Sequence, residues 1–588
     1  MPIRFAKGDR SMRRQSRGTK VFRGAMATFV LLIVIIGLGV SFSQFAPPPA
    51  QQNPVPEGDF SIDRAMGYLK EVAKEPHPSG SAAHAEVRDY LVQQFQQLGI
   101  EVEVQQKEIS QIKNVIYPQE DPKLSMYNIL ATIPGKSDSD NAVLITAHYD
   151  SKKGSPGTSD DGYGVATILE SARAIKNGPQ PQNTIYFLLS DGEELGLVGA
   201  SAFAENKSIM DQTKVIINME ARGNKGVPVL FETNTNNLEL IQTFQKEAQY
   251  PIAYSFAYEV YRLLPNDTDF TVYKNSGKQG YNFANIDGRD FYHAAKDTYD
   301  QASTGTLQHL GLQVLPLLKK YAFMDAAQFK GIEDSDHNAV YFPLFQKNLI
   351  VYSEAYVIPL LIGLLLLALV TLSVAIKKQH IRFSKTLIVF LLILGSLVVI
   401  AGLILLCIRV IAYLMGLPIH ENIYIYNVPY SGWIMIALTL LATLLCFIGA
   451  KAMVKKFGAG NAAFGMLYHW LILAVLTSVF VKGMSYVFVL PAALSLLAIL
   501  PLMFRSEKRI PTFYGYGFII PMVIPSVMLL SPIIYLIFVS MTIGIAPVTN
   551  VLSSLAAFNV IFASLWAFDN TAAPGIQKAR IRNKPIEL

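Results

Sequence analysis

The sequence predicts an α/β domain combined with membrane-spanning helices, and three observations support this. The mean hydropathy of +0.31 over 588 residues is too high for a wholly soluble chain. Apolar runs of about 18 residues or more, the length that crosses a bilayer core, occur once near the start and repeatedly after residue 350. Between them, residues 56–330 alternate helix-like and strand-like segments, which is typical of a central, mostly parallel sheet flanked by helices.

The N-terminal segment predicts a membrane anchor. Residues 1–24 form a basic tail in which Asp9 is the only acid, and this bias places the tail in the cytoplasm. The apolar residues 25–45 are the predicted transmembrane anchor, with a cleaved signal peptide as the alternative. Under either interpretation, the proline-rich linker 46–58 and the domain that follows it are exported.

The C-terminal part predicts an all-α, multi-span membrane domain of about six or seven helices. The loop KKQHIRFSK follows its first apolar run and should face the cytoplasm, which also makes the preceding domain extracytoplasmic. Residues 511–568 have room for two or three spans, and two would leave the C-terminal basic tail in the cytoplasm. The predicted segments are the exported domain 59–330, a second linker 331–354, the membrane domain 355–568 and a basic tail 569–588.

Charge and cysteine content exclude several classes of protein. The net charge of +6 is largely explained by the cytoplasmic loops and tails, so it gives no reason to expect a nucleic-acid partner. The spans carry no Asp or Glu in their cores, which argues against an ion-coupled transporter. Cys407 and Cys446 lie in or beside apolar spans, so the exported domain has neither a disulfide nor a cysteine metal ligand. The lipid bilayer is the partner predicted for the spans, and a protein partner is left open.

Within the exported domain, one helix and four strands follow from the periodicity of apolar residues. AHAEVRDYLVQQFQQLGI places apolar residues at helical spacing and stops at Gly99. EVEVQQKEI alternates as a half-buried strand, whereas three other runs are almost wholly apolar and suit central strands. These runs are NAVLITAHYD, NTIYFLLSDGEE and TKVIINMEARG, and each ends in acids or histidine.

The polar ends of these three strands predict a ligand site. In open α/β sheets, ligands bind at the carboxyl ends of the strands. So many carboxylates at one edge would repel one another unless protons or cations neutralised them, and we therefore expect a metal ion. If the three strands are neighbours, the side chains that converge are His148, Asp150, Asp191, Glu193, Glu194 and Glu220.

Five motifs supply a set of metal ligands. One histidine and carboxylates for each of two sites, with one carboxylate shared, suit two zinc ions about 3.5 to 4 Å apart. Taken alone, GTSDDGYG predicts only a turn and a helix N-cap, and GEELG only a solvated helix start; together and in this order, the motifs favour a single site. The motifs are AHYDS with His148 and Asp150, GTSDDGYG with Asp160 and Asp161, SDGEELG with Glu193 and Glu194, NMEARG with Glu220, and FYHAAKDTYD with His293.

These motifs, with EPHPSGSAAHAEVRDYL before them, resemble the zinc aminopeptidase family that includes aminopeptidase Y, leucyl aminopeptidases and glutamate carboxypeptidases. The resemblance covers about residues 60–330, and the multi-span layout is similar to that of the family's vacuolar membrane proteases and endoplasmic reticulum metallopeptidases. It implies a zinc-exopeptidase-like fold that binds two zinc ions per chain. The implied roles are metal binding by His148 and Glu194, bridging of both metals by Asp160, completion of the two shells by Glu220 and His293, general-base catalysis by Glu193 and oxyanion stabilisation by Tyr292.

The chemistry of neighbouring residues agrees with these roles. A carboxylate that coordinates zinc cannot easily accept a proton as well, so the adjacent Glu193 and Glu194 need different tasks. Asp150 lies two residues beyond His148 and can accept the ring N–H of the histidine, which would fix its tautomer.

Some features of the sequence leave alternatives open. Ala294 stands where the family has a hydroxyl, and Glu220 stands where several soluble aminopeptidases have Asp. Arg222 could pair with Glu220 or anchor a substrate, and no role is predicted for it. The stretch LLPNDTDFTVY could shape a substrate pocket or simply form a capped helix entrance.

The sequence therefore predicts a membrane-bound, zinc-dependent aminopeptidase that uses metal-activated water and acts on peptides with a free N-terminus. The choice of an exopeptidase comes from the resemblance alone. Alternatives are a glutamate-carboxypeptidase-like hydrolase, a non-catalytic receptor or scaffold module on the same fold, and a one-zinc, glutaminyl-cyclase-like enzyme. His148 and Glu220 speak against the last, because only a second metal needs them. The predicted location is the cell membrane in a prokaryote, or the vacuolar or endoplasmic reticulum membrane in a eukaryote.

Overall fold

The chain forms two compact units in a computed structural model. One unit combines Met1–Phe42 with Val357–Leu588, and the other is Ser43–Tyr356. The structure describes residues 6–49, 51, 54–113, 123–136, 139–264, 266–345, 347–417, 428–504 and 512–570. The bounds of the strands are β1 (Glu101–Glu108), β2 (Ser125–Ile133), β3 (Ala142–His148), β4 (Thr184–Ser190), β5 (Thr213–Ala221), β6 (Lys225–Thr233), β7 (Gln279–Asp287), β8 (Ala339–Phe345) and β9 (Asn348–Ser353). The bounds of the helices are α1 (Ala6–Ser43), α2 (Ile62–Val72), α3 (Ala82–Gln97), α4 (Gly162–Lys176), α5 (Val198–Ala204), α6 (Lys207–Gln212), α7 (Leu238–Glu247), α8 (Ser255–Tyr261), α9 (Asp269–Asn275), α10 (Thr304–Ala322), α11 (Ala326–Glu333), α12 (Val357–Lys377), α13 (Phe383–Leu414), α14 (Ser431–Phe457), α15 (Ala459–Phe480), α16 (Tyr486–Met503), α17 (Thr512–Met541) and α18 (Ala546–Asn570).

A mixed seven-stranded sheet organises the unit Ser43–Tyr356, with the strand order β1-β2-β4-β3-β5-β7-β6. The four central strands β4, β3, β5 and β7 are parallel to one another. The edge strands β1, β2 and β6 join antiparallel, so the sheet is parallel only at its centre. The three apolar runs of the sequence form β3, β4 and β5, which are neighbours, so their carboxyl ends lie at the same edge.

Burial on both faces explains why the central strands read as continuous apolar runs. All seven residues of β3 are buried. Val143 and Ile145 belong to a large cluster with Leu91 of α3, whereas Leu144 belongs to a second cluster with Phe270 of α9. Because successive side chains of a strand point to opposite faces, these two clusters lie on opposite sides of the sheet.

The two predicted linkers lie within the folded unit instead. In residues 331–354, α11 ends and β8 pairs antiparallel with β9, and Tyr341 and Leu349 are buried in the large cluster. The first five residues of β8 are all buried, so this strand of the hairpin packs inward. In the proline-rich segment, the Pro49 carbonyl accepts a hydrogen bond from Gln308 Nε2 at 2.7 Å. This contact holds the segment against α10, so it is not a free spacer.

Six helices of the chain are long and apolar enough to cross a membrane by length and composition, within the part that the structure describes. Seven described helices, α12 to α18, occupy the region predicted as the membrane domain, and two of them follow residue 511. The basic tail from residue 571 onward lies outside the described residues. The membrane-crossing candidates are Glu354–Lys377, Phe383–Leu414, Ser431–Phe457, Ala459–Phe480, Gly517–Met541 and Ile543–Ala567, with the shorter apolar helices Ala27–Ser43 and Tyr486–Pro501.

Polar contacts link the anchor helix to this bundle. Pro532 has no N–H, so it leaves the carbonyl of Met528, four residues earlier in α17, without its helical donor. The hydroxyl of Ser41 in α1 lies 2.7 Å from the carbonyl of Gly37 in its own helix and 3.4 Å from the carbonyl of Met528, so its proton is shared between the two. The anchor and α17 therefore belong to one packed unit.

Candidate metal centre

The ends of the parallel strands bring the predicted residues to one edge of the sheet. His148 is the last residue of β3, and Glu220 lies one residue before the end of β5. Glu193 and Glu194 follow β4 in the turn before α5. Asp160 lies just before α4, where its peptide bond to Asp161 is cis.

Two groups of side chains place their ligand atoms within 4.8 Å of one another. In the first, His148 Nε2 lies 3.3 Å from Asp160 Oδ1 and 3.9 Å from Glu220 Oε2. In the second, His293 Nε2 lies 3.2 Å from Asp160 Oδ2 and 3.0 Å from Glu194 Oε1. Each group has one histidine, and Asp160 belongs to both, with a different oxygen in each.

The donor set fits divalent metal ions. Asp160 Oδ2 and Glu194 Oε1 are buried, and among the described residues no contact to either, including those of His293 Nε2 at 3.2 and 3.0 Å, has the geometry of a hydrogen bond. Buried carboxylate oxygens without a donor are costly, and a coordinated cation removes that cost. Histidine nitrogens and carboxylate oxygens, without cysteine, are ligands that zinc accepts.

The charges within the cluster also indicate a need for cations. Burial, followed by the nearby carboxylates, raises the pKa of Glu220 well above its ordinary value. Burial lowers the pKa of His293, but the carboxylates of Asp160 and Glu194 outweigh it and raise the pKa to about 9. Without metal the cluster therefore holds protons, and metal binding has to displace them.

Glu193 stands beside both groups without belonging to either. Burial, followed by repulsion from Glu220, raises the pKa of its carboxyl well above the ordinary value. Its backbone N–H donates to Asp150 Oδ1 at 3.1 Å, and the N–H of Glu194 donates to Asp150 Oδ2 at 3.2 Å. A carboxyl group with a raised pKa, held by its backbone beside two metal positions, is suited to proton transfer.

Asp150 differs from the sequence interpretation in how it contacts His148. The ring Nδ1 lies 2.9 Å from the backbone carbonyl of Asp150 but 3.5 Å from its carboxylate. The carboxylate is occupied by the two N–H groups of Glu193 and Glu194. The carbonyl thus fixes the tautomer of His148, and the carboxylate positions the Glu193–Glu194 turn.

Asp191, which the sequence placed among the converging residues, lies in neither metal group. It accepts hydrogen bonds from Ser79 at 2.6 Å and from the N–H of Tyr127 at 2.7 Å, and His84 Nε2 lies 3.0 Å away. It therefore fastens the segment before α3 to the turn after β4. An acid that binds metal and an acid that fastens two segments both follow a strand, so the sequence does not distinguish them. The contacts across the sheet show that Asp191 has the second role.

Asp161 and Asp297 shape the loop that carries Asp160. Asp161 caps α4 by accepting from the N–H of Gly164 at 3.2 Å, as the turn-and-cap interpretation of GTSDDGYG predicts. Asp297 accepts from the N–H and the hydroxyl of Ser159 at 3.0 and 2.8 Å. Asp297 is one of the residues that the motif around His293 retains despite Ala294.

The stretch LLPNDTDFTVY forms a capped helix entrance in its described part; Pro265 lies outside the described residues. The N–H of Thr268 donates to Thr271 Oγ1 at 3.2 Å at the start of α9. The next residue, Asp269, accepts from the Ser190 hydroxyl at the end of β4 at 2.5 Å.

Tyr292 and Arg222 lie beside the second metal group. The rings of Tyr292 and His293 stack with centroids 3.7 Å apart, and His293 has a φ of 54°. A non-glycine residue in this left-handed region is held there by its surroundings. Arg222 makes no ion pair with Glu220 among the described residues; its guanidinium lies 5.9 Å from the centroid of the Tyr292 ring.

Part of the chain is similar to known peptidases. Residues 128–318 match the model of peptidase family M28. The chain is 30% identical to a vacuolar membrane protease of Candida tropicalis over 309 residues, covering 50% of this chain and 33% of that protein. It is 28% identical to endoplasmic reticulum metallopeptidase 1 of Mus musculus over 283 residues, covering 46% of this chain and 32% of that protein. The matched region spans about a third of the length of these curated relatives.

Two solved structures match part of this chain at low sequence identity. A zinc aminopeptidase from Bacillus subtilis covers 46% of this chain and 97% of its own, at 16% identity and a TM-score of 0.38. A glutaminyl cyclase from Porphyromonas gingivalis covers 44% of this chain and 98% of its own, at 21% identity and a TM-score of 0.36.

Proposed function

We propose, starting from the peptidase family M28 domain in residues 128–318, that this chain is a membrane-bound zinc aminopeptidase. The observation that carries the proposal is the shared carboxylate of Asp160, which faces two histidine–carboxylate groups through different oxygens. Two metal positions that share a carboxylate, with a free carboxyl group beside them, suit hydrolysis of an amide bond.

Zinc fits this donor set, and two ions would use His148, Asp160 and Glu220 on one side and Asp160, Glu194 and His293 on the other. When bound, the ions supply Lewis acidity that polarises the scissile carbonyl and acidifies water. The protein's own residues then have to orient the peptide and move the protons.

Glu193 is the proposed general base. Its carboxyl group takes the proton of the attacking water and passes it to the departing amine, and such a step contributes about 10² to 10⁴ in rate. One group serves both halves of the transfer, because the carboxylate accepts the proton and the resulting carboxylic acid gives it up. Asp150 holds the backbone of Glu193 in place during both halves.

Tyr292 is the proposed donor to the developing oxyanion. Burial, followed by the charges of Asp160 and Glu193, raises the pKa of its phenol well above the ordinary value, so the hydroxyl keeps its proton. A preorganised donor of this kind stabilises a transition state by about 3 kcal/mol.

The membrane arrangement supports an extracytoplasmic site. The positive-inside rule places the basic residues 1–24, which include the first part of α1, and the loop between α12 and α13 in the cytoplasm. The peptidase unit lies between these points in the chain, so it would act on peptides outside the cytoplasm. The names of two relatives refer to the vacuolar membrane and to the endoplasmic reticulum, which are compartments where such a site would face away from the cytoplasm.

The test uses the full chain, purified in detergent, and peptides that are free at both ends, acetylated at the N-terminus, or amidated at the C-terminus. We expect hydrolysis of the free and amidated peptides, no hydrolysis of the acetylated one, and complete loss with a chelator. Cleavage of the acetylated but not the amidated peptide would instead assign a carboxypeptidase.

The variant Glu193→Gln tests the base. It should keep the zinc content of the wild type and lose about 10² to 10⁴ in kcat. Glu333→Gln is the matched control, because Glu333 forms an exposed pair with Lys214 at 2.9 Å on another part of the unit. Full activity in Glu193→Gln would show that Glu193 is not the general base.

A further inference from the structure

We propose that Arg222 and Arg289 form an anion-binding wall beside the metal centre and select peptides that carry a carboxylate next to the scissile bond. This inference rests on the proposed peptidase function and names the class of substrate for that site.

The two arginines reach the same edge of the sheet as the metal ligands. Arg222 follows β5 two residues after Glu220, and Arg289 follows β7 four residues before His293. β5 and β7 are parallel neighbours, with Ala221 opposite Asn285 in the ladder. The two side chains therefore leave adjacent strand ends, next to the ligands.

Tyr292 lies between Arg222 and the metal ligands. The guanidinium of Arg222 is 5.9 Å from the Tyr292 ring centroid. On its other side the tyrosine stacks on His293, and its phenol lies in the field of Asp160 and Glu194. A group bound by Arg222 would thus be one side chain away from the reacting carbonyl.

Arg222 has no anionic partner among the described residues. Its guanidinium makes no ion pair there, and its Nε atom is buried without a hydrogen-bond acceptor. Glu220 lies two residues before Arg222 in the chain, and Glu194 lies at the same edge of the sheet. Both place their carboxylates in the groups of metal ligands and not against Arg222. A half-buried guanidinium with an unused donor is costly unless a ligand accepts from it.

Repulsion between the positive charges of Arg222 and Arg289 adds to the cost of leaving Arg222 without an anion. Burial, followed by repulsion from Arg222, lowers the pKa of Arg289 to about 10. An anion between the two groups would relieve the repulsion. Guanidinium groups bind carboxylates through paired N–H donors, so a carboxylate is the peptide group that matches them.

A peptide offers this carboxylate from two sources: the C-terminus of a dipeptide, or the side chain of Asp or Glu beside the scissile bond. Three matched pairs separate the sources. Ala-Ala is compared with Ala-Ala amide, Ala-Glu amide with Ala-Gln amide, and Glu-Ala amide with Gln-Ala amide, all with the full-length zinc-loaded chain in detergent.

We expect kcat/KM to be about tenfold higher for the carboxylate member of at least one pair, equivalent to about 1.4 kcal/mol. The ratio should fall to within about threefold of one in Arg222→Gln and in Arg289→Gln, mainly through KM, and it should be partly kept in Arg222→Lys. Arg88→Gln is the matched control, because Arg88 bonds to its neighbour Asp89 on the surface of α3, and it should keep the wild-type ratio.

The results distinguish a failure of the anion-binding wall from a failure of the proposed peptidase function. If the wild type hydrolyses both members of every pair at rates within about twofold, the anion-binding wall is overturned while the peptidase stands, whatever the arginine variants do. A ratio that persists in properly folded, zinc-loaded Arg222→Gln and Arg289→Gln would also overturn it. If no member of any pair is hydrolysed, the peptidase proposal itself fails.

Discussion

The Nε2 atoms of His148 and His293 face opposite oxygens of one carboxylate, at 3.3 and 3.2 Å from Oδ1 and Oδ2 of Asp160. Each histidine belongs to a different group of potential ligands, and Asp160 is the only residue that the two groups share among those described. Loss of this carboxylate should therefore affect both metal positions together.

Asp160→Asn tests this sharing. Because an amide is a poorer ligand than a carboxylate and cannot bridge two cations equally, we expect less than one zinc per chain and loss of peptide hydrolysis. Glu220→Gln, which touches only one group, should retain about one zinc. Metal analysis of the dialysed proteins measures the zinc content of both variants. Two zinc ions per chain in Asp160→Asn would contradict the claim that Asp160 is shared by the two metal positions.

Asp150→Asn tests how the turn after β4 is held. The carboxylate accepts from the N–H groups of both Glu193 and Glu194, and an amide leaves one of them facing an NH₂ group. We expect zinc affinity to fall by about 10- to 100-fold, measured by competition with a chelator, together with a lower kcat. Unchanged affinity and kcat would show that this contact has no positioning role.

Glu170→Gln tests the stability of the α/β unit. Glu170 is fully buried and accepts from Arg173 at 2.8 Å, from Arg64 at 3.1 Å and from the N–H of Ser61 at 2.8 Å. Removing its charge leaves two arginines facing each other without a buried counterion, so we expect a loss of about 3 kcal/mol or more in the free energy of unfolding.

The melting temperature in detergent measures this loss. Lys214→Gln, which breaks the more exposed pair with Glu333, should lower the unfolding free energy by less than about 1 kcal/mol. Equal effects of the two variants would mean that Glu170 is not the structural centre of its network.

His309 should make stability depend on pH. Burial lowers its pKa from 6.5 to about 4, although its Nε2 donates to the Tyr250 carbonyl at 2.8 Å. The unfolded chain therefore binds the proton more readily, so the free energy of unfolding falls as the pH drops from about 6.5 towards 4, by at most about 3 kcal/mol.

His309→Gln removes this titration and can still donate to the carbonyl. Between pH 7 and pH 4.5, its melting temperature should therefore fall less than that of the wild type. Parallel declines in the two proteins would show that His309 does not contribute.

Local patterns predicted the central strands and the residues at their ends. β3, β4 and β5 are visible in the sequence because burial on both faces requires continuous apolar runs. The polar residues that interrupt those runs mark the carboxyl edge, which is why His148, Glu193 and Glu220 could be assigned to one site.

The contacts that local patterns missed are those that depend on neighbours distant in the chain. β7 carries the buried polar residues Asn282 and Asn285, so it lacks the apolar run of a central strand. Asn282 donates to Glu232 Oε2 of β6 and to Thr268 Oγ1, both at 2.9 Å, and accepts from Asn218 of β5 at 2.9 Å. The hairpin of β8 and β9 likewise becomes part of the core through long-range packing, which the local pattern of residues 331–354 does not predict.

Anomalous scattering at the zinc edge, measured on crystals of the purified full-length chain, tests the central claim most directly. We expect two peaks about 3.5 to 4 Å apart, one contacted by His148 and Glu220, the other by Glu194 and His293, and both by Asp160. A single peak, or peaks away from Asp160, would contradict the two-metal centre.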